Sequence, residues 1–268
     1  MEVVLKDGSR LAVAENATAA DAARAIGEGL FRSAVCARVN GALVDLSHPL
    51  AEGDALEIVT LKEKEGLDVY RHTCAHILAQ AVKTIYPTSK LAIGPVVENG
   101  FYYDVEFKTP ISRDDLVKIE AEMNNIIKSD LPVERFTLPK KDAIKLMKNY
   151  DEPYKVELIT ELDNKETLSF YKQGAFVDFC RGPHLPSTGR VKAFRLTSVT
   201  GAYWRGNEKN KMLTRIYGTA FEKKAQLEEY LQMVEEAKKR DHNKLGRELG
   251  IFLTEEVVGQ GLPLLAPK

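Results

Sequence analysis

Val96-Val-Glu-Asn99-Gly100-Phe-Tyr-Tyr-Asp-Val-Glu-Phe107 is the stretch that decides the fold of this 268-residue chain. An Asn-Gly pair between two runs of strand-forming residues is the strongest short hairpin signal the sequence contains. It predicts antiparallel pairing, and the neighbouring text extends it. Val133–Leu138, Val156–Ile159, Leu168–Tyr171, Ala175–Cys180, Ala193–Thr200 and Met212–Thr219 all read as strands. Ser112 with Asp115 caps a helix to about Ser129, with Leu116, Ile119, Met123, Ile126 and Ile127 inward. Lys140–Tyr150 reads as a basic helix. The class is α+β with a largely antiparallel sheet.

Upstream, Glu2-Val-Val-Leu-Lys6 alternates, Asp7-Gly8 turns the chain, and Arg10–Ala14 returns. Thr18 and Asp21 form a capping box opening a helix to about Leu30, and short strands follow near Ala37–Val39 and Leu56–Thr60. This ββαββ order predicts a small ubiquitin-like β-grasp domain. Lys62-Glu-Lys-Glu-Gly66 is charged and free of apolar residues, and reads as a linker. A helix from about Asp68 to Tyr86 follows, ended by Pro87 and carrying Cys74, Ile77, Leu78, Ala81, Val82 and Ile85 on one stripe. At the far end, Glu222 to about Leu249 reads as one long charged helix with Leu227, Leu231 and Val234 on one face.

Composition narrows the function. Hydrophobic residues at 44% and charged residues at 29% describe an ordinary globular chain. No apolar run approaches the ~20 residues of a membrane span, and the N-terminus lacks the blocks of a secretory signal. Three cysteines at unrelated spacings predict free thiols in a reducing, cytoplasmic setting rather than a disulfide framework. A net charge of −1 argues against indiscriminate nucleic-acid binding but leaves room for a local basic groove.

Three of the five histidines sit in two phrases, His72-Thr-Cys-Ala-His76 and Cys180-Arg-Gly-Pro-His184. The first pair is spaced i, i+4 and projects from one helix face, with Cβ atoms roughly 5–6 Å apart. On that helix the two rings lie opposite the apolar stripe, so a solvated face is the plain alternative to a site. Gly182-Pro183 cannot continue a helix, which puts Cys180 and His184 on a strand end and a turn. Converging, the phrases would form one hydrolytic or metal-binding pocket. Asp178 and Cys180 lie two apart on a strand, hence on one face. A neutral imidazole accepts a proton near pH 7, which suits His72 to position or deprotonate a water and His76 to orient a substrate or share that task. The four ligand-type groups His72, His76, Cys180 and His184 also make a reasonable tetrahedral zinc set.

Arg71-His72-Thr-Cys-Ala-His76, Ala92-Ile-Gly-Pro95, Asn99-Gly-Phe-Tyr-Tyr-Asp104, Asp178-Phe-Cys180-Arg-Gly-Pro-His184, Gly201-Ala-Tyr-Trp-Arg-Gly206, Arg215-Ile-Tyr-Gly-Thr219 and Arg240-Asp-His-Asn-Lys-Leu-Gly246 follow one another in an order that closely resembles the N-terminal half of a bacterial-type threonyl-tRNA synthetase. The resemblance covers essentially the whole chain. It implies a TGS domain at 1–61, an editing domain at 62–221, a linker helix at 222–249, and at 250–268 the start of an absent class II catalytic core. It implies hydrolysis of the ester of mischarged seryl-tRNA(Thr), by His72, His76, Lys155, Asp178, Cys180 and His184, with Tyr103 stacking on the terminal adenine. Lys155 aligns with the family's editing lysine. No cofactor is expected at the editing site; zinc at His72, His76, Cys180 and His184, as in alanyl editing relatives, is the alternative. ATP, Mg and the family's Zn would belong to the absent core, so charging of tRNA is not expected of this piece. The partner implied is the acceptor end of tRNA(Thr). The family dimerises, largely through parts missing here, so this piece is expected to be monomeric. Two other readings stay open: a free-standing zinc-dependent deacylase, and a non-catalytic module gripping RNA through Lys140, Lys141, Lys145 and Lys148. Cys180, Asp178, Lys155 and Tyr103 each also have a plain reading as core, turn, solvated or packing residues.

Overall fold

Alternation in β1 (Glu2–Leu5) buries Val3 and points its neighbours outward, and the chain returns as β2 (Arg10–Ala12). The computed structural model describes residues 1–163, 167–240, 245–246, 248–254 and 263–265. Thr18 and Asp21 close the expected capping box at the start of α1 (Ala19–Ile26). The helix does not run on to Leu30. It breaks at Gly27 and resumes as α2 (Glu28–Ser33), because Gly27 and Gly29 hold the helical conformation poorly. The chain then forms β3 (Ala34–Val39), β4 (Ala42–Val44) and β5 (Ala55–Thr60). β4 is absent from the sequence reading. It exists because Asn40 (φ 50°) and Gly41 (φ 85°) form a two-residue hairpin turn, with Val39 opposite Ala42. The sheet order is β2-β1-β5-β3-β4, with β1 parallel to β5, and Ala19, Ala22 and Ala23 of α1 pack on it. This is the expected β-grasp arrangement.

No free linker follows. α3 (Lys64–Ile85) starts within the charged stretch, and Gly66 is pressed so closely on the Thr60 carbonyl that a Cβ would lie 2.0 Å from its oxygen. The plain alternative, a solvated polar face on α3, is excluded. Tyr70, Arg71, Thr73, Cys74, Ala75, His76, Ile77 and Leu78 are all buried. The reason is that α3 is covered on several sides: it packs against β3, β5, a second long helix and the main sheet.

After α3 come β6 (Lys90–Leu91), β7 (Val96–Val97) and β8 (Gly100–Glu106), then α4 (Arg113–Lys128), which opens with the Ser112–Asp115 box. The deciding hairpin is β7–β8, but its turn is Glu98-Asn99, since Gly100 pairs with Val97. A smaller antiparallel sheet follows, built from β9 (Val133–Pro139), β10 (Thr167–Gln173) and β11 (Phe176–Phe179) in the order β11-β10-β9. α5 (Lys140–Asn149) and α6 (Pro153–Glu161) cover it, around Met147, Ile159, Leu168 and Phe170. The expected strand at Val156–Ile159 is instead the middle of α6. Pro153 stands in the first helical turn, where its fixed φ and missing N–H suit a helix start. β12 (Ala193–Tyr203) and β13 (Met212–Phe221) complete the main sheet, ordered β12-β13-β8-β6.

The residues up to Lys223 form one compact unit and those from Lys224 another. In the second, α7 (Lys224–Lys239) carries i, i+4 pairs such as Glu235–Lys239 at 3.1 Å. Its expected continuation to Leu249 passes through residues 241–244, outside the described residues, as does most of 255–268. Among the described residues no helix is long and apolar enough to cross a membrane.

At the β8–β13 crossing there is room for no side chain on Gly100, since a Cβ would lie 2.1 Å from the Gly218 carbonyl oxygen. Gly100→Ala should therefore destabilise the chain by about 1–3 kcal/mol in urea unfolding, as overpacking does. Gly29→Ala, with nothing within 4 Å of the new Cβ, should leave it unchanged or slightly more stable. Equal midpoints for the two variants would contradict the packing assigned to this crossing.

Candidate functional site

Helical spacing on α3 puts the His72 and His76 rings 5.0 Å apart. A third ring joins them from a hundred residues away: His184 lies 4.3 Å from His72 and 4.2 Å from His76, centre to centre. The path of the chain explains this. Gly174 (φ 61°) turns β10 into β11, and beyond Phe179 residues 180–184 cross toward α3. Gly182 (φ 66°) passes Tyr171 so closely that a Cβ would sit 1.8 Å from its hydroxyl oxygen, so only glycine fits. Cys180 lies just past the end of β11 rather than in it, with its Sγ 3.1 Å from His184 Nε2.

Thr73, between the two α3 histidines, fixes the His184 tautomer. Its hydroxyl donates to the Val69 carbonyl at 3.0 Å, and its oxygen accepts the Leu185 N–H at 3.0 Å. With its one proton used, its 3.1 Å contact to His184 Nδ1 requires Nδ1–H to donate. Nε2 then carries the lone pair facing the Cys180 thiol.

Beneath the rings lies a buried polar cluster from three elements. Lys155 Nζ of α6 is 2.7 Å from Asp178 Oδ1 of β11 and donates to the Tyr103 hydroxyl of β8 at 3.0 Å. Tyr103 in turn donates to Asp178 Oδ2 at 2.6 Å, and that oxygen is 3.7 Å from His76 Nε2. The structure thus brings together His72, His76, Lys155, Asp178, Cys180, His184 and Tyr103. The stacking role expected of Tyr103 is corrected: the ring is 1% exposed and offers no face to a base. Of the basic-helix lysines, Lys140 is spent on the Thr160 and Leu162 carbonyls, while Lys141, Lys145 and Lys148 are exposed.

Comparison with known proteins assigns this architecture. Residues 1–60 match the TGS domain, and residues 168–217 match the threonyl and alanyl tRNA synthetase second additional domain. Over its whole length the chain is 57% identical to a threonine–tRNA ligase of Acetivibrio thermocellus and 56% identical to one of Clostridioides difficile, covering 42% of each. A Clostridium tetani threonine–tRNA ligase is 53% identical, again with 42% covered. The chain is homologous to the N-terminal part of threonine–tRNA ligases. It spans about two fifths of the length of these curated relatives.

In this threonine–tRNA ligase homologue the three clustered histidines are neutral at pH 7. Burial lowers His72 to about 4 and His76 to about 3, against the opposing pull of Asp178. Burial, then the other two rings, holds His184 well below its usual range. Burial pushes the Cys180 thiol up, and the Asp178 charge adds to this, so Cys180 is not a ready nucleophile. For Asp178 burial acts to raise the pKa, but the Lys155 ammonium and the hydrogen bonds outweigh it, keeping the carboxylate ionised. Tyr103 is driven well up by burial and the same carboxylate, so it stays a donor.

The donor atoms of His72, His76, Cys180 and His184 lie within 4.8 Å of one another. Zinc bonds of ~2.0–2.3 Å need donors nearer 3.5 Å apart, a modest contraction. The set fits in other respects: His184 Nδ1 is oriented by Thr73, and His76 Nδ1 is buried without a hydrogen-bond partner. These four side chains would hold a zinc ion, which would displace the thiol proton.

Sequence reasoning missed Thr73, Tyr171, Gln173 and Asp45. Gln173 Nε2 donates to the His76 carbonyl at 3.2 Å and Gln80 Oε1 at 2.7 Å. Asp45 belongs to the β-grasp domain: its Oδ1 accepts the His184 N–H at 2.9 Å and its Oδ2 accepts the Tyr171 hydroxyl at 2.8 Å. The Tyr171 ring then rests 4.4 Å from His184. No spacing signals Asp45; only the packing of two domains reveals it.

The unfolded chain protonates its histidines near pH 6.5, whereas the folded cluster resists to about 4, so stability should fall as pH drops through that window. The C2 proton of His72 should show no NMR titration between pH 8 and 5; a midpoint near 6.5 would contradict the desolvation assigned to its ring. Asp45→Ala should cost about 1–3 kcal/mol by leaving the His184 N–H unpaired, with Asp45→Asn recovering most of it. Urea midpoints of the two variants measure this.

Proposed function

We propose that this chain hydrolyses the ester of seryl-tRNA(Thr), a proofreading step within a full-length threonine–tRNA ligase. The observation that carries the reading is three neutral imidazoles in mutual contact above the Lys155–Asp178 pair, with one of them reaching an opening. That one is His72, which is half-buried and lines a cavity of about 300 Å³ with Leu43, Glu65, Asp68, Pro95 and Pro183. The Pro183 backbone acts on the ring and pulls its pKa slightly up against burial, and a ring nitrogen accepts from the water. A base of such low pKa holds the water by hydrogen bond and takes its proton as the attack develops.

Lys155 uses two of its three N–H donors on Asp178 and Tyr103, and the third stabilises the developing oxyanion. Asp178 is engaged by Lys155, by Tyr103 and by the Phe179 N–H at 2.8 Å, so its part is to fix the lysine. His76 and His184, both buried, back the His72 ring from inside, with the Cys180 thiol against His184. An activating site rejects a side chain one methyl smaller by only about 1–3 kcal/mol, which is why a second, hydrolytic site is needed. The clustering of His72, His76, Cys180 and His184 favours one second reading, a zinc-dependent deacylase.

One assay separates the readings: the chain with seryl- and threonyl-tRNA, with and without chelator. Selective serine release unaffected by chelator is expected. Release abolished by chelator supports the zinc reading, and tRNA binding without hydrolysis sinks both. His72→Ala should lower serine release by about 10²–10⁴-fold while tRNA affinity holds.

A further inference from the structure

We infer that the cleft between the β-grasp domain and the Cys180–His184 segment is a phosphate subsite, in which Arg135 and Arg181 bind a phosphodiester of the RNA strand leading to the hydrolysed ester. The inference rests on the hydrolysis reading above and extends it to how the strand is held. A cavity of about 300 Å³ there is lined by Asp45 and His48 of the β-grasp domain and by Arg135, Tyr171, Arg181 and Pro183. Arg181 directly follows Cys180, so the cleft adjoins the catalytic loop. The cleft and the His72 cavity share Leu43 and Pro183 in their walls, so one extended ligand can occupy both.

Charge identifies the occupant. Most arginines in the chain are committed, Arg215 to Asp104 at 2.7 Å, Arg205 to Glu161 at 2.7 Å, Arg195 to Glu120 at 3.3 Å and Arg71 to the Glu98 carbonyl at 2.8 Å. Among the described residues only Arg113, Arg135 and Arg181 lack a carboxylate or carbonyl partner. Two of these three line the same cavity. The carboxylate beside them, Asp45, already accepts from the His184 N–H and the Tyr171 hydroxyl. The neighbouring His72 cavity has the opposite character, with Asp68 and the Arg38-paired Glu65 in its wall. An aminoacyl ester on an RNA end has this polarity: an ammonium at one end and phosphodiesters at the other. Guanidinium forks match phosphate oxygens and read no sequence, as a strand-positioning site requires.

The test uses the full chain and the R135Q/R181Q variant in two assays. In the first, anisotropy follows binding of an unesterified RNA oligonucleotide ending in the acceptor sequence. The variant should bind about tenfold more weakly, and its slope of log affinity against log salt should be shallower by about 0.7 for each phosphate it no longer neutralises. In the second, hydrolysis of seryl-tRNA is compared with that of phosphate-free seryl-adenosine. KM for seryl-tRNA should rise about tenfold, and the preference for it over seryl-adenosine should shrink by the same factor. Unchanged affinity and salt slope would overturn the proposal, as would equal losses on both substrates, which would mean that the arginines only shape the loop. Arginine-dependent binding by a chain that hydrolyses neither substrate would support the subsite and overturn the hydrolysis reading instead.

Discussion

The Asp178–Lys155 contact, 2.7 Å between two nearly fully buried side chains, is the constraint around which the site is built. It ties α6 to β11, and through the Tyr103 hydroxyl it ties both to the central strand β8. A buried pair of this kind adds little net stability over apolar residues of the same shape, yet losing one partner costs about 3–5 kcal/mol. Its consequence is therefore geometric. It fixes an ionised carboxylate and a cation under three rings that are themselves uncharged.

That uncharged state follows from the same burial. A protonated imidazole at His76 would gain from Asp178 at 3.7 Å, but it would face His72, His184 and the Lys155 ammonium with almost no water. Desolvation wins. The result is a set of lone pairs suited to holding a water or a metal ion, beside one ammonium with a donor to spare. The β-grasp domain takes part in this arrangement: Asp45 pins both the His184 backbone and Tyr171, so the first domain helps to shape the site of the second.

Much of the fold was legible where a local signal has one physical meaning. The Thr18–Asp21 and Ser112–Asp115 boxes open helices because their side chains satisfy orphan N–H groups. Val156–Ile159 misled because β-branched and apolar residues at i and i+3 suit either a strand or a buried helix face; Pro153 was the signal to weigh. Asn40-Gly41 makes the better-formed turn, although Asn99-Gly100 has the longer strand-forming run beside it. On α3 the choice between a solvated face and a cleft could not be read from periodicity, since histidines opposite an apolar stripe look solvated until other elements cover them.

The sequence alone determined the chemical inventory: two histidine phrases, a lysine, an acid and a thiol. It also determined that Gly182 and Pro183 would end any regular element between Cys180 and His184. Tertiary structure decided which of these groups touch, that Tyr103 is a buried donor rather than a stacking platform, and that Asp45 belongs to the site. The reason is range. Capping, turn formation and periodicity act over a few residues, whereas protonation states and hydrogen-bond partners depend on what distant segments pack together and how much water they exclude.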